Sequence, residues 1–194
     1  MDDLSYIRLP RALERIQARS LELRFDMASE ERTGALLRVL ARSKPGGRFL
    51  ELGTGTGIAT AWLLDGMDAA SELISVDVNA DFQQVARDVL GDDARLSLIT
   101  EDSLAFLERQ PRGSYDFVFA DALRGKYEGL DMALGGVRVG GFYVIDDMLP
   151  QTNWPPGHER RVDALLDTLA AHRDFEILRM AWASGLVIAV RKAS

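Results

Sequence analysis

The 194-residue sequence contains no cysteine. Disulfides, thiolate zinc sites, iron–sulfur clusters and cysteine nucleophiles are therefore excluded. Long apolar runs are missing as well. The longest, Leu186-Val187-Ile188-Ala189-Val190, has strand length and falls far short of the roughly 18 residues of a membrane helix. The opening Met1-Asp2-Asp3-Leu4 carries two acids where a secretion signal needs a basic start, so a soluble cytoplasmic protein is expected. Acids outnumber bases and the net charge is −7, which argues against nucleic acid held by overall charge. Neither an internal repeat nor a low-complexity tract is found. What is present is globular composition, 47% hydrophobic and 27% charged, at a length suited to a single domain.

The hydrophobic pattern alternates between two periods. Residues 4–24 space Leu4, Ile7, Leu13, Ile16, Leu21 and Leu23 among arginines, which predicts an amphipathic helix interrupted at Pro10. This helical arm, about residues 1–26, is read as a solvated face beside a core or dimer contact. A second helix is expected from near Ser29 to just before Pro45. Five apolar strands follow, at Arg48–Leu52, Leu73–Asp77, Arg95–Ile99, Tyr115–Ala120 and Gly141–Ile145, with helical stretches between them. Near-continuous apolar strands alternating with helices predict a parallel sheet covered on both faces. The rhythm then changes. After a helix around Arg160 to His172, the segments Phe175–Trp182 and Leu186–Arg191 are separated only by Ala183-Ser184-Gly185, which dictates an antiparallel hairpin.

The first strand runs into Glu51-Leu52-Gly53-Thr54-Gly55-Thr56-Gly57. Glycines bring backbone amides close to a ligand at a helix N-terminus. The spacing is not the dinucleotide G-x-G-x-x-G, because position 58 is Ile, and no G-K-[S/T] phosphate grip is present. Glu51 would repel a pyrophosphate but suits a ligand bearing a cationic centre and an ammonium group. Asp77, 24 residues after Gly53, ends the second strand where a carboxylate accepts ribose hydroxyls. Asp102 and Ser103, after the third strand, are placed to meet an adenine edge. These acids at successive strand ends argue against a ligand-free turn.

Phe49-Leu50-Glu51-Leu52-Gly53-Thr54-Gly55-Thr56-Gly57 resembles motif I of class I S-adenosylmethionine (SAM)-dependent methyltransferases. The resemblance covers about residues 27–192. It implies an α/β, Rossmann-like, doubly wound seven-stranded sheet, mostly parallel with an antiparallel C-terminal hairpin. Within that superfamily the chain is most similar to the catechol and caffeoyl-CoA type of O-methyltransferase. Those carry E-[IL]-G-T-x-T-G, then D-x-x-K-x-x-Y after strand four and D-N after strand five. Here the second and third read Asp121-Ala122-Leu123-Arg124-Gly125-Lys126-Tyr127 and Asp146-Asp147. The resemblance implies SAM held by Glu51, Gly53, Gly55, Gly57, Asp77, Asp102 and Ser103. It further implies a divalent cation, Mg²⁺, Mn²⁺ or Ca²⁺, on Asp121, Asp146 and Asp147. Three carboxylates are a hard oxygen set suited to such ions.

Two positions depart from that pattern. Asn has become Asp147, and the lysine that is a candidate base in the catechol enzymes is Arg124. Arginine stays protonated and is no base, although it would orient or stabilise an oxyanion, so Arg124 and Asp121 are the catalytic candidates. The expected activity is methyl transfer to an oxygen of a small phenolic or catechol-like acceptor, assisted by metal. A metal-independent small-molecule methyltransferase and a cofactor-binding module without catalysis remain as alternatives, and a homodimer is compatible with the family. Trp154, in the loop after the fifth strand, either walls an acceptor pocket or packs a proline-stiffened surface loop. His158 and His172 are expected to be solvated or capping, and Trp62 and Trp182 to lie in the core.

Overall fold

The computed structural model describes residues 5–193. Leu4 and the rest of the predicted start of the arm lie outside them. Seven helices and seven strands are assigned among the described residues. The strands are β1 (Arg48–Leu52), β2 (Glu72–Asp77), β3 (Leu96–Thr100), β4 (Tyr115–Ala120), β5 (Val137–Ile145), β6 (Phe175–Met180) and β7 (Leu186–Arg191). They form one sheet in the order β3-β2-β1-β4-β5-β7-β6. The first five are parallel, whereas β7 runs antiparallel to both β5 and β6. This is the predicted doubly wound sheet with its terminal hairpin.

β4 shows why the sheet must be covered twice. Phe117 and Phe119 pack on one face with Phe49, Leu73 and Val144, and Val118 and Ala120 pack on the other with Leu50, Leu52 and Ile145. A strand buried on both sides has no polar alternation, because each successive side chain enters a core. The first face is covered by α1 (Leu13–Glu22), α2 (Glu31–Arg42), α3 (Ile58–Gly66) and α4 (Ala80–Leu90). The second is covered by α5 (Ser103–Glu108), α6 (Leu130–Gly136) and α7 (His158–Ala170). Helix α1 is shorter than expected and begins after Pro10, whose carbonyl accepts from Leu13 N. Its Leu13, Ile16 and Ser20 are buried, while Leu21 is 78% exposed. Trp62 is in the core as expected, but Trp182 is only half-buried. No helix among the described residues is long and apolar enough to cross a membrane.

The strand order reverses direction between β1 and β4. At such a point the loops leaving the two strands diverge to opposite faces and open a crevice beyond their C-terminal ends. Every acid singled out from the sequence lies at the C-terminal end of a strand or just beyond it.

Candidate functional site

The glycine loop joins β1 to α3, and its geometry requires glycine. Gly53 has φ +104°, and a Cβ there would stand 2.8 Å from the carbonyl oxygen of Asp121. Gly57 has φ +96°, caps α3, and would push a Cβ to 2.7 Å from that of Ala86. The loop is therefore pressed between the β4 end and α4. Its second glycine, Gly55, donates its amide to Asp77 Oδ2 at 2.7 Å, and Asp77 Oδ1 accepts from Asn79 N at 2.8 Å. Each carboxylate oxygen keeps a further lone pair, so Asp77 remains able to accept from a diol.

A buried polar network holds this loop from below. Thr54 Oγ1 lies 2.6 Å from Ser75 Oγ and accepts from Gln83 Nε2 at 3.0 Å. Gln83 in turn accepts from Thr100 at 2.6 Å, which links the loop to α4 and β3. Glu51 belongs to the same network. Its Oε2 accepts from Thr60 at 2.6 Å and from Ser75, its Oε1 has no partner, and the residue is wholly buried. Burial pushes its pKa up to about 7 against the opposing pull of the two hydroxyls. Glu51 thus braces the loop from beneath.

Residues 23–30, between α1 and α2, cross the loop from above. The Phe25 ring lies over Gly55, where a Cβ would meet it at 2.7 Å, and packs edge-on against Phe82 with centroids 4.9 Å apart. Ser20 donates to Thr56 Oγ1 at 2.7 Å, and Ser29 donates to Asp121 Oδ2 at 3.0 Å. The arm is therefore part of the site, a role that amphipathic spacing alone could not reveal.

At the far end of the crevice, Asp102 caps α5 by accepting from Leu104 N at 2.9 Å and Ala105 N at 3.3 Å. Its other oxygen pairs with the guanidinium of Arg124, which also reaches Glu128 at 3.6 Å. Ser103 is buried. Arg124 is thus drawn to the β3 end and half-exposed.

The three aspartates lie at the ends of β4 and β5, which are neighbours in the sheet. Asp146 is 1% exposed, and its Oδ1 accepts from Ser184 and from Asp147 N. Asp147 adopts φ +60°, a left-handed conformation that Asp and Asn tolerate better than other side chains. Burial raises the Asp146 pKa to about 6, and burial together with the Asp146 charge raises that of Asp121 well above the usual carboxylate range. Lys126 pulls both back down. It is itself 4% exposed, and its ammonium donates to the carbonyl oxygen of Asp146 at 2.9 Å. Among the described residues no group of three His, Asp or Glu side chains is arranged to hold a metal ion. The set does not fit the expected divalent cation: no three of the acids converge on one point, and a buried ammonium stands beside them.

Beyond Lys126 lies a cluster of rings. Tyr127 Oη lies 3.1 Å from His158 Nε2, and the Trp154 ring packs on His158 at 4.6 Å between centroids. Arg161 stands over the Tyr127 ring at 4.9 Å. Burial, with Lys126 and Arg161 nearby, lowers the His158 pKa, so the imidazole is neutral at neutral pH. His158 is consequently neither solvated nor a simple cap. An open groove of about 620 Å³ lies alongside, lined by Lys126, Tyr127, Leu130, Arg161 and Leu165.

A family model described as a methyltransferase domain matches residues 50–148, half of the chain. The chain belongs to that family, and its sheet has the class I arrangement. A relative from Mycolicibacterium smegmatis that bears an O-methyltransferase name is 39% identical over 93 residues, 46% of this chain and 44% of that protein. The chain spans about half the length of the curated relatives it matches. The O-methyltransferase TomG from Streptomyces achromogenes, involved in tomaymycin synthesis and solved with SAM, superposes with a TM-score of 0.83 at 22% identity, over 97% of this chain and 92% of that one. An O-methyltransferase from Bacillus cereus solved with SAH gives 0.82 at 20% identity, over 96% and 93%. These solved structures establish the likeness of fold.

Proposed function

We propose that this chain transfers a methyl group from SAM to an oxygen of a small aromatic acceptor, without a metal ion in the step. The observation that carries the reading is the glycine loop at the strand-order reversal, with its second amide tied to the acid that ends β2. SAM supplies a sulfonium-activated methyl group. Gly53, Gly55 and Gly57 bring backbone close to the cofactor, Asp77 accepts its ribose hydroxyls, and the Asp102–Ser103 turn borders its base. Phe25 roofs the loop and excludes water, while Glu51 and Gln83 keep the loop rigid from below. Positioning of this kind provides most of the rate enhancement when two bound reactants meet in line.

Tyr127, Trp154 and His158 offer an aromatic wall for the acceptor. The names of the curated relatives support oxygen as the accepting atom. The test is turnover of SAM with a panel of phenols and catechols, with and without excess chelator. Methylation that survives chelation is expected. Methylation abolished by chelator and restored by Mg²⁺ would favour the metal-assisted form that the family resemblance implies, and SAM binding without turnover would leave a cofactor-binding module.

A further inference from the structure

We propose that the Lys126 ammonium is the resident cation of the Asp121–Asp146–Asp147 cluster, taking the place that a divalent metal holds in the catechol-type enzymes. The place of Lys126 in the cluster does not rest on the methyl-transfer reading.

Three observations converge on it. First, Lys126 is almost entirely buried, which is rare for lysine unless its charge is paired. Its ammonium is held at the end of β5, where it donates to the carbonyl oxygen of Asp146 at 2.9 Å, next to the Asp146 and Asp147 side chains in sequence. Second, the carboxylates have turned to protein donors. Asp121 accepts from Ser29, and Asp146 accepts from Ser184 and from the amide of Asp147. Oxygens engaged in this way have fewer lone pairs left for an incoming ion. Third, the sequence carries a matching exchange. Position 124, lysine in the catechol-type pattern, holds an arginine drawn away to Asp102 and Glu128. The lysine stands two residues later, on the buried side of the same turn. The turn is fixed there because Tyr143 Oη donates to Gly125 O at 2.6 Å, and Gly125 N donates to Glu128 O at 2.6 Å. Gly125 itself has φ +88°, and any Cβ would strike Leu52.

The electrostatic consequence is direct. A second cation entering beside a buried ammonium is repelled, and removal of the ammonium leaves the carboxylates with uncompensated charge. Taking the charge from Lys126 should therefore create a metal site.

The experiment is a Mn²⁺ titration followed by electron paramagnetic resonance, on the wild-type chain and on Lys126→Gln. Both are saturated with SAH, and folding is checked by circular dichroism. The wild type should leave the spectrum of free aqueous Mn²⁺ unchanged. Lys126→Gln should take up one equivalent at least about 100-fold more tightly, and Asp146→Asn added to it should abolish the uptake. Lys126→Met, uncharged and of similar length, serves if the Gln variant does not fold. Stoichiometric Mn²⁺ uptake by the wild type would overturn the assignment, as would no uptake by a folded Lys126 variant. SAH affinity, read by calorimetry on the same samples, bears on the proposed function alone.

Discussion

Glu51 is a carboxyl group held where its charge is least welcome. It is wholly buried, one oxygen has no partner, and its pKa is raised from 4.5 to about 7. A carboxyl with a raised folded-state pKa favours folding in its protonated form. The penalty is therefore absent below about pH 4.5, grows as pH rises toward 7, and is complete above that. Its full size is on the order of 3 kcal/mol. Glu51→Gln keeps an acceptor for Thr60 and Ser75 but carries no charge. Urea melts should show this variant more stable than wild type at pH 8, by about 1–3 kcal/mol, with the difference shrinking toward pH 4.5. An equal or larger gain at pH 4.5 would contradict the account. Glu51 also marks a limit of sequence reading. Its position before the glycines was legible, but whether it faces the ligand or the core was not, since both are consistent with the end of a strand. Lys126 repeats the lesson: residues 124 and 126 are both basic, and only the turn around Gly125 decides which is buried.

At the scale of elements, helices α2 and α3 pack closely against each other. Gly34 of α2 lies against the Trp62 ring, and a Cβ there would come within 2.3 Å of it. Trp62 is fully buried, with the Arg38 guanidinium 4.9 Å from its ring. A helical Gly→Ala change ordinarily stabilises, by about 1 kcal/mol. Here the overlap should reverse the sign, and Gly34→Ala should cost about 1–3 kcal/mol in thermal or denaturant melts. A variant as stable as wild type would show the two helices to be less tightly packed. The central strands were readable because burial on both faces leaves uninterrupted apolar runs, and β1, β4 and β7 fall where the sequence put them. β5 begins four residues earlier than expected, at Val137, because Gly140-Gly141 reads as a turn yet lies inside the strand. The short helix α6 carries two glycines and gave no periodic signal. The docking of the α1–α2 segment over the loop depends on tertiary contacts of Ser20, Phe25 and Ser29, which no local pattern announces.

The whole molecule gathers its polar chemistry at one edge of the sheet. The acids at the strand ends, the glycine loop and the Tyr127–His158–Trp154 cluster come from separate strands and helices. They meet because the strand order reverses between β1 and β4. The proposed function divides the crevice into a cofactor half, toward β2 and β3, and an acceptor half, toward β5 and α7. The measurement that tests this division most directly is a calorimetric titration of SAH into the wild type and Asp77→Ala. Asp77 is chosen because it both ends β2 and anchors the Gly55 amide. Micromolar binding by the wild type is expected. The variant should lose about 10–100-fold, the worth of a charge-assisted pair of hydrogen bonds. No binding by the wild type, or an unchanged affinity in a folded Asp77→Ala protein, would contradict the placement of the cofactor at the β1–β2 end of the crevice.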